Sequence, residues 1–303
     1  MKLGCGLFGL GFALDMDFWG TMKKLASAGF TAVEPLLAFA DDPALSPESP
    51  IPGFMKSILW NESKLREYLP KLKELGLSVS SMHVGFLFGM TIEEGCRQMI
   101  ELAENTGIKH YMTSLEFDSE EKVNHAIALM NESVQLLKGT DVTLGYHNHF
   151  QEYSKMVCKA DNFLTASSEA DGEVPLTQLN GKETYMDYFL ANTDPAVKLQ
   201  LDVGWEMYGN NDVISFMKKY GDRIQSVHLK DFIPDFANVP EDDAFAAIGD
   251  GVLPTKEILS LIPGLNLIEH GLMIDQDKAA AGMNLMDDLV KGAEYIKKMG
   301  SVS

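Results

Sequence analysis

Cysteine is scarce in this chain. Cys5, Cys96 and Cys158 are the only three among 303 residues, they lie far apart, and none forms a CxxC pair. No disulfide framework can be built from them; with 17 methionines alongside, they read as buried, reduced thiols of a cytoplasmic protein. Basic residues are also short: 25 Lys and Arg against 44 Asp and Glu leave a formal charge of −19. Such a surface repels phosphate backbones and anionic headgroups, which argues against nucleic-acid and membrane-surface partners. Nor is there an apolar run of the ~20 residues that a membrane span needs. Met1-Lys2 followed by Leu3 to Leu14 imitates a secretory leader, but the run is glycine-rich and reaches Asp15 and Asp17 without a small-x-small cleavage site. It reads instead as a first strand and its loop.

A 46% apolar content can fill one large core, and strand-like and helix-like segments alternate along the whole length. Strands are expected at 2–8, 31–33, 77–82, 109–114, 142–147, 197–201, 224–228 and 265–268. Helices are expected at 18–28, 61–75, 91–105, 118–137, 184–192, 212–219, 253–261 and 283–298. Gly29 and Gly76 end the first two helices, and Thr91-x-x-Glu94 opens the third as a capping box. Eight strand–helix units at about 38 residues each fit a single (β/α)8 barrel over residues 1–303. Two insertions interrupt it. One, at about 37–60, carries Pro43, Pro47, Pro50 and Pro52 and could serve as a lid; the other is polar, at about 154–182. The rival is a doubly wound dinucleotide fold, suggested by Gly4-x-Gly6-x-x-Gly9-x-Gly11. That run leads into an aromatic-rich segment, and only Glu34 stands near where a ribose anchor is needed.

Four strand ends carry metal-type side chains: Gly145-Tyr146-His147-Asn148-His149, Leu201-Asp202-Val203-Gly204-Trp205, Val227-His228-Leu229-Lys230-Asp231 and Leu267-Ile268-Glu269-His270. In such a barrel all strand ends open onto one face, so His147, Asp202, His228 and Glu269 are expected to converge as mixed N/O ligands of one divalent cation. Asp202 has no helix to cap before about Asn211, so its carboxylate is free for that role. His149 shares the face of His147, and Lys230 that of His228, because residues two apart on a strand point the same way. His270 then faces outward and is structural. Glu34, His83 and Glu116 end strands in the first half and are candidates for substrate hydroxyls or for acid–base work. Trp205 and Phe86 could stack on a sugar ring. Gly249-Asp250-Gly251 reads as a turn.

Taken together, these segments resemble the xylose isomerase-like TIM-barrel superfamily, and within it the sugar phosphate isomerase/epimerase and inosose dehydratase branch. The resemblance covers nearly the whole chain. It implies one divalent ion, Mn²⁺ first and Mg²⁺, Co²⁺ or Zn²⁺ as alternatives, held by Glu, Asp, His and Glu from strands five to eight. Asp202, His228 and Glu269 match by position. His147 stands where many relatives carry the first Glu, which removes the symmetric carboxylate pair of a two-base epimerase; Glu152 is the candidate to replace it. The implied chemistry is proton abstraction α to a carbonyl of a sugar or polyol by His149 or Glu152, with Lys230 at the developing oxyanion. Isomerisation or epimerisation ranks first and elimination from a keto-inositol or 3-keto-glycoside second. An endonuclease-like barrel is disfavoured by the −19 charge, and a non-catalytic sugar-binding barrel is the third class. The acidic surface favours an unphosphorylated substrate, and a homodimer is the prior for assembly.

Overall fold

A computed structural model describes residues 2–39, 50–85, 90–156 and 183–300. Strands and helices alternate as the sequence pattern requires. In chain order they are β1 (Leu3–Gly6), α1 (Gly11–Met16), α2 (Phe18–Ala28), β2 (Ala32–Glu34), β3 (Leu36–Leu37), α3 (Gly53–Ile58), β4 (Leu59–Trp60) and α4 (Glu62–Glu74). There follow β5 (Ser78–Val79), β6 (Met82–Val84), α5 (Ile92–Thr106), β7 (His110–Thr113), α6 (Glu120–Leu136), β8 (Thr143–His147), α7 (Tyr185–Asn192), β9 (Leu199–Asp202), α8 (Val203–Tyr208) and α9 (Val213–Tyr220). The chain continues through β10 (Ile224–Leu229), the short antiparallel pair β11 (Asp231–Phe232) and β12 (Phe245–Ala246), α10 (Thr255–Leu261), β13 (Leu272–Ile274) and α11 (Leu285–Lys298).

The parallel strands close on themselves. β1 pairs with both β2 and β13, and the ladder runs from β13 through β10, β9, β8 and β7 to β6 and β3. Pro35, which has no N–H to give a ladder, splits the second barrel strand into β2 and β3. The seam stays bonded across the break: Ser80 N donates to Val33 O at 3.3 Å and His83 N to Pro35 O at 3.1 Å. The insertion expected at 37–60 contributes α3 and β4 among its described residues. Most of the insertion expected at 154–182 lies outside the described residues.

Two local expectations change. Thr91 does accept from Glu94 N at 3.2 Å, but the Glu94 carboxylate turns to Arg97 and Gln98, so only half of the capping box forms. The eighth barrel strand is β13, Leu272–Ile274, and not the run at 265–268. Gly4 and Gly6, the start of the dinucleotide-like run, lie inside β1 and face the barrel axis. A Cβ on Gly4 would sit 2.9 Å from Met273 Cγ, and one on Gly6 would overlap the Asp275 carboxylate. These glycines leave the axis free for β13 side chains, which is a packing reason for the pattern.

Candidate active site

The period of two along each strand aims alternate side chains at the axis. Gln200 and Asp202 on β9, His228 and then Lys230 at the end of β10, His147 on β8, His83 on β6, Glu34 on β2 and Asp275 just past β13 all meet there. Glu34 is the hub. Its Oε1 lies 3.0 Å from both His83 Nε2 and His228 Nε2, and its Oε2 accepts from Gln200 Nε2 at 2.7 Å and from Ser81. Gln200 Oε1 in turn meets His83 Nε2 at 2.6 Å and His147 Nδ1 at 2.9 Å. Burial opposes ionisation of Glu34, yet the flanking His228 and His83 hold its carboxyl well below the usual range. His228 moves the other way: burial disfavours its charge, but Glu34 and Asp275 push it up to about 10.

Lys230 is 1% exposed, an unusual burial for an ammonium group. Its Nζ lies 2.5 Å from Asp277 Oδ2, 3.1 Å from Asp202 Oδ2 and 3.4 Å from Asp275 Oδ2, and 4.7 Å above the Trp205 ring. Burial works against the charge; Asp202, Asp277 and Asp275 outweigh it and keep Lys230 protonated far above neutrality. Asp202 also has a local task that the sequence reading denied it. α8 begins at once, and Asp202 Oδ1 caps it by accepting from Trp205 N at 2.8 Å. The other oxygen, Oδ2, is left for Lys230 and the axis.

Above this floor opens a cavity of about 510 Å³. Glu34, His83, His147, His149, Glu116, Trp205, Lys230, Asp275 and Asp277 line it. His149 Nδ1 lies 3.9 Å from Glu116 Oε1 and carries no hydrogen bond. Burial, then Lys230 and His83, press the His149 ring down to about 3, so it is neutral. Of the expected metal ligands, Asp202 and His228 share one cluster of ligand atoms and His147 joins His228 in a second; two expected residues lie away from the cavity. Glu269 is three-quarters exposed and pairs with Lys2 at 3.1 Å, away from the cavity, among Thr31, Ser78 and His110 at the starts of the strands; Asp275 occupies the place at the axis that Glu269 was expected to fill. Glu152 is fully buried but turned away from the cavity, behind β8. Its Oε1 accepts from Tyr146 OH at 2.7 Å and its Oε2 from His149 N at 3.2 Å, so it braces the His149 segment and does not line the cavity. Phe86 lies outside the described residues. Asp231 organises the Gly249-Asp250-Gly251 turn, accepting from the N–H groups of Gly249 at 3.0 Å and Gly251 at 3.1 Å.

Sequence reasoning missed Asp275 and Asp277. Leu272-Met273-Ile274-Asp275 repeats the signature used elsewhere, an apolar run ending on a carboxylate. The longer run that ends on Glu269 masked it.

The chain belongs to the xylose isomerase-like TIM barrel family, whose model matches residues 22–299. Among curated proteins it is 23% identical over 236 residues to an inosose dehydratase of Clostridium botulinum (strain Eklund 17B / Type B), covering 73% of this chain and 69% of that enzyme. A solved sugar phosphate isomerase/epimerase from Parabacteroides distasonis superposes with a TM-score of 0.73 at 20% identity, covering 100% of this chain and 95% of that one. The IOLI protein, solved with a zinc atom, superposes with a TM-score of 0.57 at 14% identity, covering 100% of this chain and 98% of that one.

The residues present fit a divalent cation. Ligand atoms of Asp202, His228 and Asp275 lie within 4.8 Å of one another, as do those of His83, His147 and His228. Asp202 Oδ2 and both ring nitrogens of His228 are buried without an aligned hydrogen bond, although His228 Nε2 is only 3.0 Å from Glu34. Glu34, Asp202, Asp275 and Asp277 bring four carboxylates to the floor against two cations, Lys230 and the His228 imidazolium. Such an excess of buried acid needs a further positive charge, and mixed imidazole and carboxylate donors suit a divalent metal.

Proposed function

We propose that this protein is a divalent-metal-dependent enzyme that removes a proton α to the carbonyl of an unphosphorylated keto-polyol and expels the β-hydroxyl as water. The observation that carries the reading is the floor itself, where Asp202, His228 and Asp275 converge beside a buried, charged lysine. Asp202, His228 and Asp275, with His147 at the edge of the group, would hold the ion, which when bound supplies Lewis acidity toward substrate oxygens.

The remaining work falls to the chain's own groups. Lys230 presents its ammonium to the oxygen that gains negative charge, in a site where three carboxylates keep it protonated. His149, whose ring lines the cavity, accepts the α-proton; a positioned base contributes ~10²–10⁴-fold. Glu116 stands beside that ring and Glu152 fixes the backbone that carries it. Trp205 offers its face to the C–H side of a ring. The cavity lining holds six carboxylates, from Glu34, Glu116, Glu241, Asp242, Asp275 and Asp277, against Lys230 and Lys278. That balance disfavours a phosphate.

Isomerisation or epimerisation, ranked first on sequence, shares the proton abstraction. Two points move elimination ahead: β8 ends on His147 where a two-carboxylate exchange needs an acid, and the curated relative is named a dehydratase. The test is an incubation of Mn²⁺- or Zn²⁺-loaded enzyme in D₂O with inososes, ketoses and 3-keto-glucosides, followed by NMR. Water loss from a keto-polyol supports elimination. Deuterium uptake with retained hydroxyls reassigns the enzyme as an isomerase or epimerase. Neither change across the panel overturns the reading.

A further inference from the structure

The two ends of the barrel carry opposite charge. The cavity at the strand ends is lined by six carboxylates against two lysines. At the other end, where the strands begin, lies a second cleft of about 540 Å³. Lys2, Lys73, Lys109, His110 and His270 line it, and Glu269 is its single carboxylate among the described residues. Over the whole chain Asp and Glu outnumber Lys and Arg by 44 to 25. In this cleft the order is reversed, and the field of such a lining draws anions.

Helix ends do not account for the reversal. Lys73 stands in the last turn of α4, where a cation offsets the macrodipole. Lys2 and Lys109 instead precede β1 and β7, and strands carry little net dipole. Lys73 is exposed and, among the described residues, has no ion pair. Lys2 pairs with Glu269 and Lys109 with Asp141, but all four of these side chains are between 44% and 75% exposed. Pairs of that kind are worth no more than about 1 kcal/mol, so both lysines can exchange partners at small cost.

Polar groups complete the cleft. Thr31 Oγ1 donates to Leu3 O at 3.2 Å and therefore accepts from His270 Nδ1 at 2.9 Å, which fixes the His270 ring. Ser78 Oγ lies 3.4 Å from His270 Nε2. His110 Nδ1 meets Thr143 Oγ1 at 2.9 Å, and its Nε2 has no partner among the described residues. Burial holds both rings below their ordinary value, and a nearby anion favours their protonation. A Cβ on Gly76 or Gly107 would meet nothing within 4 Å, so the ends of α4 and α5 leave the cleft open.

We propose that this cleft is a second ligand site, for a small, multiply charged oxyanion of the phosphate, sulfate or dicarboxylate kind. Lys73 supplies the unpaired charge, and Lys2 and Lys109 meet the anion from the β1 and β7 sides in charge-assisted hydrogen bonds. The occupant is neither substrate nor product of the keto-polyol reaction, because the carboxylates of the other cavity repel a dianion. The site therefore stands apart from the proposed chemistry.

Titration calorimetry of the metal-loaded protein with sodium sulfate and with sodium succinate, at ionic strength held constant by sodium chloride, decides the matter. At least one of the two should bind saturably at one equivalent per chain; a tighter sulfate names a tetrahedral head group, a tighter succinate a dicarboxylate. Lys73→Glu should weaken that binding about tenfold or more, whereas Lys73→Arg, which keeps the charge, should retain most of it. Lys109→Gln should weaken it by a smaller factor. All three side chains lie at the surface, and thermal melts check that the variants fold. No saturable binding of either anion overturns the site, and so does binding that is unchanged in both Lys73→Glu and Lys109→Gln.

Discussion

Asp275→Asn separates the carboxylate at the axis from the one outside. Asp275 Oδ2 lies 3.4 Å from Lys230 Nζ and 3.3 Å from His228 Nδ1. At an effective dielectric near 20, a unit charge pair at that distance attracts by about 5 kcal/mol before desolvation. Asn is the same size, keeps an oxygen donor and no longer pays to bury a charge, so gain and loss largely cancel in the metal-free protein. Asp202 and Asp277 still neutralise Lys230. Stability should therefore shift by no more than about 1 kcal/mol. Metal affinity has no such compensation. Losing one anionic ligand from a set of about four should weaken Mn²⁺ or Zn²⁺ binding by about 100-fold or more, about 2.8 kcal/mol at about 1.4 kcal/mol per tenfold. Turnover should fall with it. The control is Glu269→Gln, whose side chain pairs with Lys2 and His270 among the described residues, at the surface; it should bind metal, melt and turn over as the wild type does. Metal titration calorimetry and thermal melts of both variants decide the matter. Full metal affinity in Asp275→Asn, or its loss in Glu269→Gln, refutes the convergence argued above.

Lys230→Met should cut turnover by ~10²-fold or more and, without metal, cost about 3–5 kcal/mol by leaving Asp202, Asp275 and Asp277 uncompensated; added Mn²⁺ should recover part of that loss in a melting experiment. Burial raises Glu152 to about 7, above its unfolded value near 4.5. Its contribution to stability is thus complete below about pH 4.5 and is lost as pH rises to about 7, on the order of 3 kcal/mol. Urea titrations from pH 4.5 to 8 should show the gap between wild type and Glu152→Gln changing by that order over this window. A pH-independent gap would mean that Glu152 does not titrate there. Chelation followed by dialysis should abolish water loss from the keto-polyol, and Mn²⁺ or Zn²⁺ should restore it. Water loss that survives in demonstrably metal-free protein removes the ion from the reaction.

Much of the site could be read from the sequence because one rule of geometry governs most of it. Where a short β-rich run ends on a polar side chain, the barrel turns that end toward a shared mouth, and alternation adds the residue two further on. Glu34, His83, His147, Asp202, His228 and Lys230 all obey this rule, although they come from five different barrel strands. The rule fails where strand length misleads. Leu265–Ile268 is the longer apolar run, and Leu265 and Leu267 pack on the core, yet among the described residues its backbone joins β10 through Ile268 N donating to Gln225 O at 2.9 Å rather than as a ladder strand. The chain then reverses at His270, whose φ of 59° is rare for a residue with a side chain, and at Gly271, before the three-residue strand that does the pairing.

Partners contributed by other strands were hidden as well. Gly6 gives no sign in sequence that its missing side chain makes room for Asp275. Gln200 is an unremarkable strand residue until its amide links Glu34, His83 and His147. Asp202 looked idle because α8 carries a glycine at its second position and is only six residues long. Its two oxygens divide the work, one closing the end of a helix and the other facing the buried ammonium. That division fixes the rotamer of the carboxylate before any substrate or ion arrives. Asp202→Asn, which can keep the cap through its amide oxygen but cannot keep the charge, is therefore the substitution that isolates the electrostatic role from the structural one.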